Sequence, residues 1–192
     1  MDMSLPDAAP RSRLFEASLQ IVLAWEGGET VTDDPLDPGG ITRWGISLAF
    51  LRRIDPGAGP DQIRALGRDE AAAIYARDFW RPIHGDQLPP PLALFTFDSA
   101  VNLGVPRAVR LLQQAVGADV DGIMGPRTVN AARAAAQRPQ RLIQALADMA
   151  AGRLQIYATR PGFPRFGRGW TRRVLDVHGR AVALAIEEGA AA

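Results

Sequence analysis

Glu26 is the residue of this chain best placed for acid chemistry, and Asp33, Asp34 and Asp37 follow it in a segment broken by proline and glycine. A carboxylic acid facing a carboxylate across a cleft is the constellation glycoside hydrolysis needs. The acid protonates the glycosidic oxygen, while the other group activates or positions water or steadies the developing cation. A loop or small hairpin after Glu26 would bring an aspartate and Thr42 back across from it. The plainer alternative, a solvated glutamate at a helix end, stands beside this one. Other chemistries are poorly supplied. Cysteine is absent and the two histidines, His84 and His178, stand far apart, which gives no basis for a thiolate or histidine metal centre or a Ser-His-Asp triad. No metal and no cofactor is expected.

The elements that must hold Glu26 can be read from the pattern around it. Leu14, Phe15, Leu19, Val22 and Leu23 recur at helical spacing, with Ile21 and Trp25 beside them, and so predict an amphipathic helix over 14–25. Gly27 and Gly28 supply its C-terminal stop. Glu26 then sits in the last turn, where the helix dipole and free carbonyls oppose ionisation and favour the protonated acid. ITRWGI, residues 41–46, alternates as a strand does. Trp44 could stack on a sugar face or pack in the core of a small sheet, because its ring is amphipathic.

EGG at 26–28, DPGGITRWGI at 37–46 and FDSAVNLG at 97–104 together resemble glycoside hydrolase family 108, the N-acetylmuramidases. That family carries an EGG-aromatic motif followed by D-P-G-G-x-T-x-aromatic-G-I. The resemblance covers roughly residues 14–187. It implies a mainly α, lysozyme-like, two-lobed helical fold with a small β-hairpin next to the catalytic helix. It also implies that Glu26 is the acid cutting the β-1,4 bond between N-acetylmuramic acid and N-acetylglucosamine. A looser similarity to phage-type lysozymes, with their Glu–Asp–Thr trio, implies second and third catalytic roles for Asp37 and Thr42. Asp34 is the reserve carboxylate, and Trp44 and Asp34 are expected substrate contacts. The chain departs from the family pattern at Glu29, where an aromatic is usual. A lytic transglycosylase would use the same glutamate, and a non-catalytic wall-binding protein would use the C-terminal lobe alone.

Further along, the expected organisation is a flexible arm over 1–13, a catalytic lobe over 14–91 and a helical lobe over 92–188 packed as one unit with the first. The proline run in PIHGDQLPPP, 82–91, marks the boundary, since three prolines cannot lie inside a helix. The apolar helix LALFTFDSAVNLG carries Asp98 and Asn102 four residues apart, on one face. They either hold helices together or bind substrate from a cleft; the second is the expectation here. DGIMGPRT, 121–128, with Gln113 and Gly117 before it, resembles the QxxxG…DGxxGPxT signature of peptidoglycan-binding modules. Its mechanics read as a turn into a helix opened by Pro126, with Asp121 a turn residue before a ligand. PGFPRFGRGW, 161–170, is expected to break the helical pattern before a last amphipathic helix.

The formal net charge is only +1, yet it is unevenly placed. Residues 1–99 hold nine arginines and fifteen acids, or −6, whereas residues 100–192 hold thirteen arginines and six acids, or +7; there is no lysine. A basic half suits an anionic partner such as cell-wall carboxylates. Nucleic acid is disfavoured by the near-neutral total and the lack of a recognisable reading helix. The expected partner is the peptidoglycan glycan strand, met by a monomer. The N-terminus has no signal-peptide core and no apolar run spans a bilayer. The expectation is therefore synthesis in the cytoplasm, no membrane insertion, and action in the periplasm or wall after release by a holin or a secretion system, as for a phage or prophage endolysin.

Overall fold

The computed structural model describes residues 11–33 and 39–191. Asp34 and Asp37 lie outside the described residues, as does residue 1–10 of the N-terminal arm. The chain falls into two compact units, Met1–Ala76 and Arg77–Ala192. This division comes earlier than the proline run from which the sequence boundary is read.

The first unit begins with α1 (Arg13–Trp25). Ser12 caps it, its hydroxyl accepting from Phe15 N at 3.1 Å, a bond of the kind worth about 1 kcal/mol. The predicted stripe is the buried face: Phe15, Leu19, Val22 and Leu23 are all inside. Part of the expected arm is structured, because Arg11 donates to Asp69 O at 2.9 Å and pairs with Glu16 at 3.4 Å.

ITRWGI is not one strand. It is a hairpin, β1 (Thr42–Arg43) and β2 (Ile46–Ser47), with Thr42 opposite Ser47 and Arg43 opposite Ile46. The turn is Trp44-Gly45, and both residues take positive φ, 54° and 73°. Two-residue hairpin loops favour that geometry because its twist matches that of the strands. Alternation alone gives no warning that a tryptophan occupies a turn position usually held by asparagine or aspartate. Thr32 adds a short third segment, pairing antiparallel with Thr42.

Ser47 ends the hairpin and caps α2 (Leu48–Ile54), accepting from Phe50 N at 3.1 Å. α3 (Pro60–Ala65) and α4 (Arg68–Tyr75) follow. Gly67 is the N-cap of α4, and Glu70 reaches back to accept from its N–H at 2.9 Å. The helical run widens into a π turn over Ala76–Trp80.

The second unit is helical. α5 (Pro90–Leu103) starts inside the proline run, with Pro90 and Pro91 in the first turn, where a missing N–H leaves no bond unmade. It is buried on every side from Pro91 to Ala100, as expected of a helix apolar all round. α6 (Val105–Val116), α8 (Pro139–Ala158) and α9 (Phe163–Ala191) pack against it, and α7 (Pro126–Ala136) packs on α6 and α8. PGFPRFGRGW does not break the pattern from Phe163 onward. Pro164 is the second residue of α9, a position that tolerates proline for the same reason. No helix among the described residues is long and apolar enough to cross a membrane.

Candidate active site

Glu26 is the C-cap of α1, with φ −87° and ψ 8°, and its N–H bonds back to Val22 O and Leu23 O at 3.1 and 3.2 Å. Gly27 and Gly28 then turn left-handed, at φ 83° and 58°, and Gly28 N donates to Leu23 O at 3.1 Å. This is a Schellman closure. It reverses the chain directly after the acid, so the half-buried Glu26 stands at the rim of the helix end and not along its side.

The hairpin turn is seated on that rim. Gly28 O accepts from Trp44 N at 2.9 Å. A Cβ built on Gly45 would lie 2.7 Å from Glu26 Cβ, 2.9 Å from its Cγ and 2.5 Å from the Tyr75 hydroxyl. The backbone of Gly45 thus touches the stem of the acid, and only glycine leaves room for it. Three further bonds hold the turn. Trp44 Nε1 donates to Leu66 O at 3.1 Å, Tyr75 OH donates to Trp44 O at 2.9 Å, and Arg43 donates to Arg64 O at 2.5 Å. A non-glycine residue at positive φ costs of order 1–3 kcal/mol, and these bonds are what keep Trp44 there.

Thr42 lies on the paired stretch next to this turn. Its N–H and C=O exchange both bonds with Thr32, at 2.8 and 2.9 Å, and its hydroxyl donates to Gly40 O at 3.2 Å. Directly paired residues present side chains on one face, so Thr32, Thr42 and Ser47 form a hydroxyl row across three segments. The place where an aromatic is usual holds Glu29. Its carboxylate pairs with Arg43 at 3.1 Å, and its carbonyl accepts from Arg43 Nε at 3.2 Å. An ion pair thus clamps the outside of the hairpin.

Residues 19–104 match the model of Glycosyl hydrolase 108, and residues 107–175 match that of the Predicted Peptidoglycan domain. Among solved structures, Brucella abortus SagA is similar, at 34% identity and a TM-score of 0.78, over 89% of this chain and 95% of that one. The chain belongs to glycosyl hydrolase family 108. No functionally curated protein matches it. The two matched segments make it a glycoside hydrolase acting on peptidoglycan, with a mainly α, lysozyme-like fold.

Within this family 108 hydrolase, the structure brings together Glu26, Thr42 and Trp44. Gly45 is the turn and close-packing residue that its place in the motif suggests, and Tyr75 is a neighbour of this cluster that sequence reasoning missed. Tyr75 lies 31 residues along the chain from Trp44, a separation that no periodicity links.

Asp98 needs a correction. Its side chain is 0% exposed and so reaches no substrate. One oxygen accepts from Arg153, and the other accepts from Arg173 Nε and Nη2 at 2.9 and 2.6 Å. Arg153 in turn donates from Nε to Tyr157 OH at 3.0 Å. Asp98 therefore ties α5 to α8 and α9 as a buried counter-ion. Asn102 belongs to the same network: its amide donates to Asp98 O at 3.1 Å, and its carbonyl accepts from Tyr157 OH at 3.3 Å.

The motif of the peptidoglycan domain is organised by Gln113, which is 1% exposed. Its amide nitrogen donates to Asp121 Oδ1 at 2.7 Å, Ile123 O at 3.1 Å and Thr128 Oγ1 at 3.1 Å, while its oxygen accepts from Gly122 N at 2.9 Å. Asp121 also accepts from Ile123 N at 2.8 Å. That backbone bond, then the one from Gln113, holds the Asp121 carboxyl below the usual carboxylate range. Asp121 is a turn residue. Among the described residues no group of three His, Asp or Glu side chains could hold a metal ion.

Proposed function

We propose that this hydrolase is an N-acetylmuramidase that cuts the β-1,4 bond between N-acetylmuramic acid and N-acetylglucosamine, with Glu26 as the general acid. The observation that carries the reading is the closure of the Trp44-Gly45 turn on the stem of Glu26. A carboxyl group fixed at the stem by packed backbone is oriented before substrate arrives, which is how a protein secures the alignment that proton transfer needs. Glu26 gives its proton to the glycosidic oxygen as the bond to the sugar lengthens.

The second carboxylate is assigned to Asp37, with Asp34 in reserve, and Thr42 takes the third role through its hydroxyl oxygen. A separation of roughly 5 Å between the carboxyl groups would give retention of configuration, and roughly 6.5–9.5 Å inversion with a water between them. Trp44 offers the face of a part-buried ring to a pyranose. Its nitrogen is already satisfied by Leu66 O, so the ring approaches the sugar with no polar debt. Export by a holin or a secretion system would bring the enzyme to its polymer, as in an endolysin.

Mass spectrometry of the fragments released from purified peptidoglycan tests the assignment. The expected products carry reducing N-acetylmuramic ends, and Glu26→Gln lowers their release by about 10²–10⁴-fold. Asp37→Asn is expected to cost less than Glu26→Gln. Anhydro ends would make the enzyme a lytic transglycosylase using the same acid. Undiminished release by Glu26→Gln would remove the mechanism, and binding without fragments from the unaltered chain would leave a wall-binding protein.

A further inference from the structure

A groove of about 510 Å³ runs between α6 and α8, inside the segment matched to the peptidoglycan domain. α6 lines it with Arg107, Arg110 and Gln114, and α8 with Gln155 and its C-cap Thr159, at the helical spacing that points one face of each inward. At its floor the helices come close: a Cβ on Gly152 would lie 2.7 Å from Leu111 Cδ2. No acidic and no aromatic side chain lines the groove. Arg107 donates to Leu103 O at 3.4 Å and Arg110 to Asp121 O at 3.1 Å, both carbonyls. Among the described residues neither guanidinium forms an ion pair.

We infer that this groove binds the peptide stem of peptidoglycan, with Arg107 and Arg110 taking its carboxylates and Gln114 and Gln155 its amide bonds. The inference rests on peptidoglycan being the polymer, but not on the identity of the bond cut. Charge chooses between the two parts of that polymer. The lactyl carboxyl of muramic acid is consumed in the amide to the peptide, so the glycan is neutral and the free carboxylates are on the stem. Guanidinium is the group that matches carboxylate. A sugar-binding groove would want an aromatic face, and this one has none. The fit in length also holds. Arg107 to Gln114 spans seven residues of helix, or about 10 Å, the reach of roughly three extended residues. Alanine-sized side chains suit the apolar strip that Leu111 provides.

Isothermal titration of the full chain with the synthetic stem L-alanyl-γ-D-glutamyl-diaminopimelyl-D-alanine tests this. Arg107→Ala should weaken binding by about ten-fold, the value of one charge-assisted hydrogen bond, and methyl esterification of the peptide should do so on the unaltered protein. Arg138→Ala serves as the control of equal charge, since Arg138 lines a separate groove of about 420 Å³ with Val116 and Arg141; it should leave the titration unchanged. Equal weakening by Arg138→Ala, full-strength binding by Arg107→Ala, or no binding by the unaltered chain would each overturn the inference. Release of sugar fragments is a separate readout, so a chain that cleaves glycan yet ignores the peptide loses only this proposal.

Discussion

Glu26 and Asp98 look alike as sequence, each an acid attached to a strongly apolar helix, yet the fold uses them in opposite ways. Glu26 caps α1, half-buried, with its stem against the backbone of a hairpin turn. Asp98 lies in the interior of α5, wholly buried, with Arg153 and Arg173 on its two oxygens. What separates them is not the helix but the partners. Arg153 and Arg173 come from 55 and 75 residues further along. A carboxylate buried between two guanidinium groups serves the fold, whereas one at a helix rim stays half-exposed.

Exchanging each acid for its amide sharpens this contrast most. Asp98→Asn leaves two guanidinium groups without their counter-ion and should cost about 3–5 kcal/mol, lowering the melting temperature by roughly 10 °C or more in a chain of this size. Glu26→Gln should keep its stability within about 0.5 kcal/mol while losing activity. Equal melting temperatures for the two variants would break the comparison. A smaller effect is expected at Gly45. Gly45→Ala places a methyl against Glu26 and Tyr75 at a positive φ, costing about 1–3 kcal/mol. It should also reduce wall hydrolysis by ~10²-fold, the penalty of a misplaced catalytic group; full activity would mean that the turn does not orient the acid. The smallest is Tyr75→Phe, which removes the bond to Trp44 O and should cost about 1 kcal/mol in thermal or denaturant unfolding. It should cut activity by less than Gly45→Ala does.

The same contrast explains how much could be read in advance. The end of α1 was legible because its signals are local: the apolar stripe, then Glu26, then two glycines that close the helix on Leu23. The EGG and DPGG-T-GI motifs likewise carry the family with them. The hairpin was half legible. Thr42 and Ile46 alternate as strand residues do, but the turn between them depends on Trp44 accepting a left-handed backbone for the sake of bonds to Gly28, Leu66 and Tyr75. Pro164 misleads for a related reason, since a proline stops a helix only beyond its first turn. Asp98 was the least legible, because its role is decided by two arginines on other helices.

Gln113 has a consequence for the durability of the molecule. An exposed segment rich in glycine is where proteases usually cut, because the backbone there can be drawn out into an extended conformation. Here the segment after Val120 is fastened to a side chain rooted in α6, through Asp121, Gly122, Ile123 and Thr128. Drawing any part of it into a protease would break several of these bonds together, so cleavage must wait for a concerted local opening. Resistance to nicking at 121–128 is thus set by a residue outside the segment being cut.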